Sequence, residues 1–335
     1  MENHQLLDAV CQKGVLVSTS IKFWRGCKKL KPEDLGLKPT DVSARLIRLG
    51  QKRLIPQDAL SDFALAESRA HAAVEGASFP FLGGIARFVP NPNLSGTTAI
   101  LEKLRGEFAE ATQSFVENYP ALREKALSEW RDAAQHLNGS AERLIATIEQ
   151  AFPPAGAISQ RFSFEWQLFQ IAAPDSIRLE IVDGVTQIEA AQDRQRIANE
   201  ATRRMQTELD SFVRESVTSL RHETARLASD VLATIDGSEK GVHQRTLNRI
   251  GTFIESFRSL NFAGDAQLET TLENFRRDLL RRSAEDYRND PGAMGSLTDG
   301  LNRLRETAVQ LAKEDASNLV ARFGQVGHRR LAAVG

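Results

Sequence analysis

The amino-acid sequence predicts a mainly α-helical protein: an elongated bundle of long antiparallel or coiled-coil helices with a small three-stranded β-sheet at one end. The first observation is the stretch Val185–Ile235, which has neither Pro nor Gly and repeats apolar residues at steps of mostly three, four or seven, as on one helix face. At about 1.5 Å per residue this helix would be roughly 75 Å long, and it would need partner helices along its length. The second observation is that the eleven prolines lie mostly before residue 160, while the half that follows is rich in Ala, Leu, Glu and Arg.

The third observation is a set of three short apolar stretches, Val15–Trp24, Phe79–Val89 and Phe162–Ile171. The first and the last alternate with a period of two, which is typical of strands, and the middle one, with its Pro and Gly-Gly pair, indicates an extended hairpin or a bent strand. None is long enough to be stable alone, so we expect all three to pair in one sheet. The chain therefore divides into a mixed N-terminal region, 1–175, and a region of long helices, 176–335.

The remaining elements of the N-terminal region are predicted helices. A short helix ends at Gly14, a second is capped by Asp41, and a third begins at Pro56, where the missing N–H of proline costs nothing. From Thr97 the apolar residues again step by three and four. Pro120 is expected to break or kink this helix, after which two further helices follow.

Beyond the long helix, Asp236-Gly-Ser predicts a stop and a turn. Further helices are predicted over Leu247–Phe257, Leu268–Leu279 and Leu297–Leu311, and the last of these carries a heptad seam. The long helix carries a seam of its own, and an open seam in a chain of this length is often closed by another copy or by a partner. A homo-oligomer or a partner protein is therefore expected. The residues predicted to form a helix–helix interface are Met205, Leu209, Phe212, Leu220, Leu227 and Val231.

Composition and the N-terminus indicate a cytoplasmic protein. Two cysteines, Cys11 and Cys27, make no disulfide framework and no zinc-site spacing, which fits a reducing compartment. The N-terminus lacks the basic start and apolar core of a signal peptide, and no apolar run approaches the ~20 residues that cross a bilayer. We therefore expect no membrane contact. The net charge of −1 means that any nucleic-acid binding would come from a local patch.

The sequence carries no motif for catalysis, metal binding or cofactor binding. The histidines form no ligand pair at helical spacing, and the Gly83-Gly84 pair lacks the pattern of a phosphate-binding loop. Cys27 has basic neighbours that would lower the pKa of its thiol, but no neighbouring base completes a nucleophilic site, so we interpret it as a free thiol. We expect a non-enzymatic protein with no cofactor.

The strongest functional lead is the region Lys22–Arg53, in which basic residues far outnumber acidic ones. With Phe23 and Trp24 beside them, these cations are typical of a surface that contacts phosphates and stacks on a base. Two alternatives stay open: a solvated strand edge guarded by lysines, and a surface for an acidic protein. The residues predicted to bind nucleic acid or an acidic partner are Lys22, Trp24, Arg25, Lys28, Lys29, Lys31, Arg45, Arg48, Lys52 and Arg53.

Three stretches of the chain resemble a known family: 15–36 (VLVSTSIKFWRGCKKLKPEDLG), 81–84 with 87–90 (FLGG and RFVP), and 161–171 (RFSFEWQLFQI). Over about residues 10–235 the chain resembles an uncharacterised bacterial and phage family that carries only a "domain of unknown function" label. Its members are associated with mobile elements, with MoxR-type AAA+ ATPases and with von Willebrand A-type proteins. The resemblance implies no known active site, but it implies such a protein as partner and a role in plasmid, phage or defence biology.

Two functions follow as hypotheses. The first is a non-enzymatic helical scaffold or adaptor, a partner of an AAA+ ATPase or von Willebrand A system in a mobile element, phage or defence context. The alternative is a DNA-binding accessory protein that uses the basic region Lys22–Arg53.

Overall fold

The structure of the protein, a computed structural model, describes residues 5–35, 38, 49–135, 141–171, 186–238, 241–314 and 316–331. In these residues it is mainly helical, as predicted, with ten α-helices and two small sheets. Unit 1 comprises Met1–Val17, Ala77–Ser95 and Leu168–Gly335, and unit 2 comprises Ser18–Gly76 and Gly96–Gln167. The units interleave along the chain, whereas the predicted boundary at residue 175 cuts it once.

The elements have the following bounds. The helices are α1 Gln5–Lys13, α2 Ser61–Gly76, α3 Asn91–Ala134, α4 Ala141–Ala151, α5 Thr186–Asp236, α6 Gln244–Leu260, α7 Ala266–Leu279, α8 Ala284–Asn289, α9 Pro291–Lys313 and α10 Ser317–Leu331. The strands are β1 Gly14–Lys22, β2 Cys27–Lys29, β3 Gln51–Arg53, β4 Phe79–Phe81, β5 Ala86–Pro90 and β6 Ser163–Phe169.

The long helix is confirmed as a single element, α5, which ends at Asp236. Its end is marked by Gly237, whose N–H donates to the carbonyl oxygen of Ala233 at 3.0 Å. The predicted helices that follow it are α6, α7 and α9, while the apolar pattern did not predict helices α8 and α10. The predicted start of the long helix, Val185, and the predicted helix capped by Asp41 lie outside the described residues.

The predicted count of three strands in one sheet is wrong, because the stretch Phe79–Val89 folds back on itself at Leu82–Gly84. It therefore supplies two strands, β4 and β5, and the sheet has four strands in the order β4-β5-β1-β6. Strands β1 and β5 are antiparallel, with Gly14 opposite Pro90. A second sheet, which the sequence did not predict, pairs β2 with β3.

Helix α3 continues through Pro120, where a break or kink and a separate second helix were predicted. A proline inside a helix removes one hydrogen bond and crowds the preceding turn, which costs about 3 kcal/mol. Phe115 and Tyr119 lie just before it and Leu127 beyond it, and all three are buried. Burial of side chains on both sides of the proline offsets the local penalty and keeps one helix.

The core of unit 1 is helical. Leu209, Phe212 and Leu220 of α5 share a cluster of buried side chains with Leu297 and Leu304 of α9. The heptad seam predicted for α9 thus faces the core of its own unit. The described residues contain no helix long and apolar enough to cross a membrane.

The core of unit 2 is aromatic. The ring of Phe63 on α2 lies 5.1 Å from that of Phe108, 5.8 Å from that of Phe115 and 4.7 Å from that of Phe162, measured between centroids. Clusters of this kind bury large apolar surfaces and prefer edge-to-face or tilted contacts. The same unit contains the strand pair β2–β3, which carries four of the ten residues of the predicted binding surface, Lys28, Lys29, Lys52 and Arg53.

Candidate binding surface

The strand pair β2–β3 is extended by one backbone hydrogen bond at Gly26, the residue just before β2. This glycine has φ +58°, and its carbonyl oxygen accepts a hydrogen bond from the N–H of Leu54 at 2.7 Å. The pairing sets Cys27 opposite Arg53, Lys28 opposite Lys52 and Lys29 opposite Gln51. Opposite residues in an antiparallel pair lie on the same face, so the register sorts the basic side chains into two faces.

Lys52 lies on the inner face and is buried in an ion pair. Its Nζ is 2.7 Å from Oδ2 of Asp34, and the two side chains are only 3% and 5% exposed. The same carboxylate oxygen accepts a hydrogen bond from the backbone N–H of Lys31 at 2.8 Å. This geometry ties the segment after β2 to β3 and places the Lys52 ammonium out of reach of a phosphate.

Trp24 is held among other rings rather than presented to solvent. Its ring centroid lies 6.3 Å from that of Phe115, 5.8 Å from that of Tyr119 and 6.1 Å from that of Phe152. The hydroxyl of Tyr119 donates to the carbonyl oxygen of Pro153 at 2.7 Å, and burial raises the pKa of Tyr119 to about 12. The phenol therefore stays protonated as a donor. A ring packed in this way is poorly placed to stack on a base.

Arg25 and Arg53, the two predicted arginines that the structure describes, are held in position by neighbouring residues. The guanidinium of Arg25 lies 3.8 Å from the centroid of the Phe23 ring and donates to both carboxylate oxygens of Glu67, at 2.8 and 3.1 Å. Arg53 donates to the side chain of Gln57, and its carbonyl oxygen accepts from the indole N–H of Trp130 at 2.9 Å. Arginines held in this way lose little conformational entropy on binding, which favours recognition of a partner.

Four lysines of the predicted surface remain exposed: Lys22, Lys28, Lys29 and Lys31. Within the part of the chain that the structure describes, none of their ammonium groups lies in an ion pair. Arg45 and Arg48, which the sequence also assigned to this surface, lie outside the described residues.

A groove of about 900 Å³ lies beside the strand pair, between β2–β3 and the start of α2. Sequence reasoning missed its apolar members, although one signal was present: Leu65 is apolar but out of step with the stripe Phe63, Ala70 and Val74 of α2. In the structure Leu65 is 47% exposed. Cys27, half-buried, also lies in the groove and is a free thiol. The groove is lined by Phe23, Arg25, Cys27, Gln51, Arg53, Ile55, Gln57, Asp58, Leu60, Ser61, Asp62, Ala64, Leu65 and Ser68.

The residues predicted to form a helix–helix interface lie in unit 1. Five of them, Leu209, Phe212, Leu220, Leu227 and Val231, are buried in the core of that unit, where α5 and α9 pack together. Met205 is half-buried and packs against the same core. Their seam is covered by the chain's own helices along this part of α5.

The titratable groups of the described residues do not assemble a metal site: no group of three or more His, Cys, Asp or Glu side chains among them is placed to hold an ion. Cys11 donates to the carbonyl oxygen of Ile171 at 3.2 Å, and burial, together with Asp8, raises the pKa of its thiol. A thiol with a raised pKa is a poor nucleophile.

Comparison with known proteins gave one match. The model of a family described as "Protein of unknown function (DUF3150)" matches residues 11–189, which is more than half of the chain. The matched span includes all three stretches 15–36, 81–90 and 161–171. No curated protein and no solved structure matches the chain.

Proposed function

The chain belongs to the DUF3150 family of proteins of unknown function, and from this premise we propose that it is a non-enzymatic helical scaffold or adaptor that binds partner proteins. The observation that supports the proposal is the surface of unit 2, where Arg25 and Arg53 line an apolar groove and four further predicted residues, Lys22, Lys28, Lys29 and Lys31, are exposed. Arginine and aromatic or apolar anchors beside a polar rim are the composition of protein-binding sites.

The expected partner is an AAA+ ATPase or a von Willebrand A-type protein, in a mobile element, phage or defence system. The identity of the partner and this context are proposed from the family resemblance of the sequence. The cytoplasmic location is proposed from the composition of the chain. The alternative partner for this surface is a second copy of the chain, which would make a homo-oligomer.

Affinity purification of the tagged full-length chain from its native host tests the proposal. We expect a AAA+ ATPase or a von Willebrand A-type protein to co-purify with the wild type. The double variant Lys28→Glu/Lys29→Glu should recover much less of it, because reversing charges at a basic rim slows encounter and adds repulsion toward an acidic partner.

The control is the double variant Lys103→Glu/Lys125→Glu, which makes the same charge change at two exposed positions of α3. It should recover as much partner as the wild type. Repeated recovery of no partner by the wild type, or equal loss in both double variants, would contradict the proposal.

The second candidate, nucleic-acid binding, draws on one observation: the ammonium groups of Lys22, Lys28, Lys29 and Lys31 are exposed and outside any ion pair in the described residues. If these groups contact phosphates, binding to a duplex should weaken steeply with salt, and the slope of log K against log salt should fall by about 2 in Lys28→Glu/Lys29→Glu. Fluorescence anisotropy with a labelled DNA duplex measures both quantities. A flat titration at low salt would exclude this candidate.

A further inference from the structure

The groove in unit 2 has two unlike walls. One wall is the outer face of β2–β3, and the other is the exposed side of the first turns of α2. The floor between them is apolar and consists of Phe23, Ile55 and Leu60, which are buried or nearly so. A concave apolar floor between polar walls is the usual form of a binding site.

The strand wall is basic. Cys27, Gln51 and Arg53 line the groove, and Lys29 follows Cys27 by two positions and pairs with Gln51, so it lies on the same face. Among the described residues, neither Lys29 nor Arg53 has a carboxylate partner. Arg25, held over the Phe23 ring, is already paired with Glu67, so Lys29 and Arg53 are the cations that this wall offers. This wall is complementary to carboxylates.

The helical wall has small side chains. Ser61, Ala64 and Ser68 are exposed and follow one another at steps of three and four, and Leu65 stands among them, also exposed. A ridge of small side chains at this spacing lets the axis of a second helix approach to about 8–10 Å. Two acidic residues also line the groove: Asp62 lies in the first turn of α2 and Asp58 in the short turn just before it. A negative charge at a helix start is stabilising, so neither requires a cationic ligand.

We propose that this groove binds an acidic amphipathic helix of the partner protein, an inference that rests on the proposed adaptor function and specifies its site. The helix lies along the ridge of α2. Its apolar side chains contact Leu65 and the floor at Ile55, and its carboxylates face Lys29 and Arg53. Anchoring by apolar side chains at helical spacing with flanking charges is a recurrent mode of helix-in-groove recognition.

Photocrosslinking in the native host tests the groove directly. Leu65 is replaced by p-benzoylphenylalanine in the full-length chain, and the matched control carries the same amino acid at Ile100 on α3. Both positions belong to unit 2 and are 47% exposed. We expect an adduct from position 65 that maps to an acidic segment of a partner protein with apolar residues at helical spacing, and no such adduct from position 100.

A synthetic peptide of the crosslinked segment then measures affinity by fluorescence anisotropy. Leu65→Arg should raise Kd by at least about tenfold, because it places a bulky charge on the anchor site, while Ile100→Arg should change Kd by less than about twofold. Lys29→Glu should raise Kd about fivefold and reduce its salt dependence. Thermal melts of each variant confirm that it folds.

Several outcomes overturn the proposal: no adduct at position 65, an adduct with nucleic acid, with a second copy of this chain or with a basic segment, or equal effects of Leu65→Arg and Ile100→Arg. If position 65 gives no adduct while the wild type still co-purifies a partner, the groove is wrong and the adaptor function stands. If the wild type recovers no partner either, both fail.

Discussion

At the scale of single residues, two buried ion pairs give charged side chains a structural role. In unit 1, Arg221 on α5 donates to Oδ2 of Asp265 at 2.7 Å and to the carbonyl oxygen of Leu311 at 2.6 Å. In unit 2, Lys52 and Asp34 form the corresponding pair. A buried pair adds little net stability when intact, but removal of one partner leaves a buried charge without compensation. These four residues are therefore structural, whatever their neighbours bind.

Replacement of Asp265 by alanine should lower the free energy of unfolding of unit 1 by about 3–5 kcal/mol, because it leaves the Arg221 guanidinium buried and unpaired. Asp265 also accepts a hydrogen bond from the N–H of Leu268 at the start of α7, and this cap is lost too. Urea denaturation followed by circular dichroism gives the difference.

The control is Asp230→Ala, which removes the partner of Arg249 in an ion pair whose side chains are about half exposed. An exposed pair contributes about 0–1 kcal/mol, so this variant should unfold close to the wild type. Equal destabilisation in the two variants would show that burial of the Arg221–Asp265 pair has been misassigned.

At the scale of elements, tertiary packing overrides the conformational preference of a proline in one helix and requires a glycine in one strand. Helix α3 continues through Pro120 because buried side chains on both sides hold it. Strand β1, in contrast, begins at Gly14, where the packing leaves no room for a side chain. A Cβ on Gly14 would lie 2.5 Å from the carbonyl oxygen of Val89 and 2.5 Å from the ring of Phe88 on the paired strand β5.

Gly14→Ala should therefore force β1 and β5 apart and destabilise unit 1 by about 1–3 kcal/mol, because the nearest atom is backbone and cannot rotate away. Thermal unfolding measures the loss. Gly106→Ala is the matched control: it lies within α3 and nothing comes within 4 Å of its added Cβ. Alanine favours a helix by up to about 1 kcal/mol over glycine, so this control should be neutral or stabilising. A stabilised Gly14→Ala would refute the close approach.

At the scale of the whole molecule, each unit is assembled from segments that are distant in the chain. The core of unit 1 includes Phe81 and Phe88 from the β4–β5 hairpin, whose rings lie 5.0 and 5.2 Å from that of Phe212 on α5. The ring of Phe88 also lies 4.9 Å from that of Phe262, which follows α6. The packing of Phe212 and Phe262 thus depends on a hairpin that lies far earlier in the chain.

A fragment cut at the predicted boundary, residues 176–335, should not fold as the full chain does. Without α1 and the β4–β5 hairpin, Phe212 and Phe262 still contact each other, but they lose the rings of Phe79, Phe81 and Phe88 and expose apolar surface. We expect the fragment to bind the dye ANS and to melt without a cooperative transition, and the full chain to melt cooperatively. A cooperative melt of the fragment would contradict this dependence and support the boundary at residue 175.

The sequence by itself determined most elements, because helices and strands are encoded by the spacing of apolar residues that are close in the chain. The periodicity of Val185–Ile235 predicted α5, alternation predicted β1 and β6, and the charge count located the basic region. Each of these patterns can be read within a window of a few turns.

Only the tertiary structure decided which basic residues are available. Lys28 and Lys52 face each other across one strand pair, yet one is exposed and the other is buried against Asp34. The sequence predicted that the Trp24 ring would stack on a base, but it packs among rings contributed by α3 and by Phe152. The sequence shows Leu65 only as a leucine on α2, whereas the structure places it in a groove whose opposite wall is the strand pair β2–β3. Burial and pairing depend on residues that are distant in the chain, and no local spacing records which of them will meet.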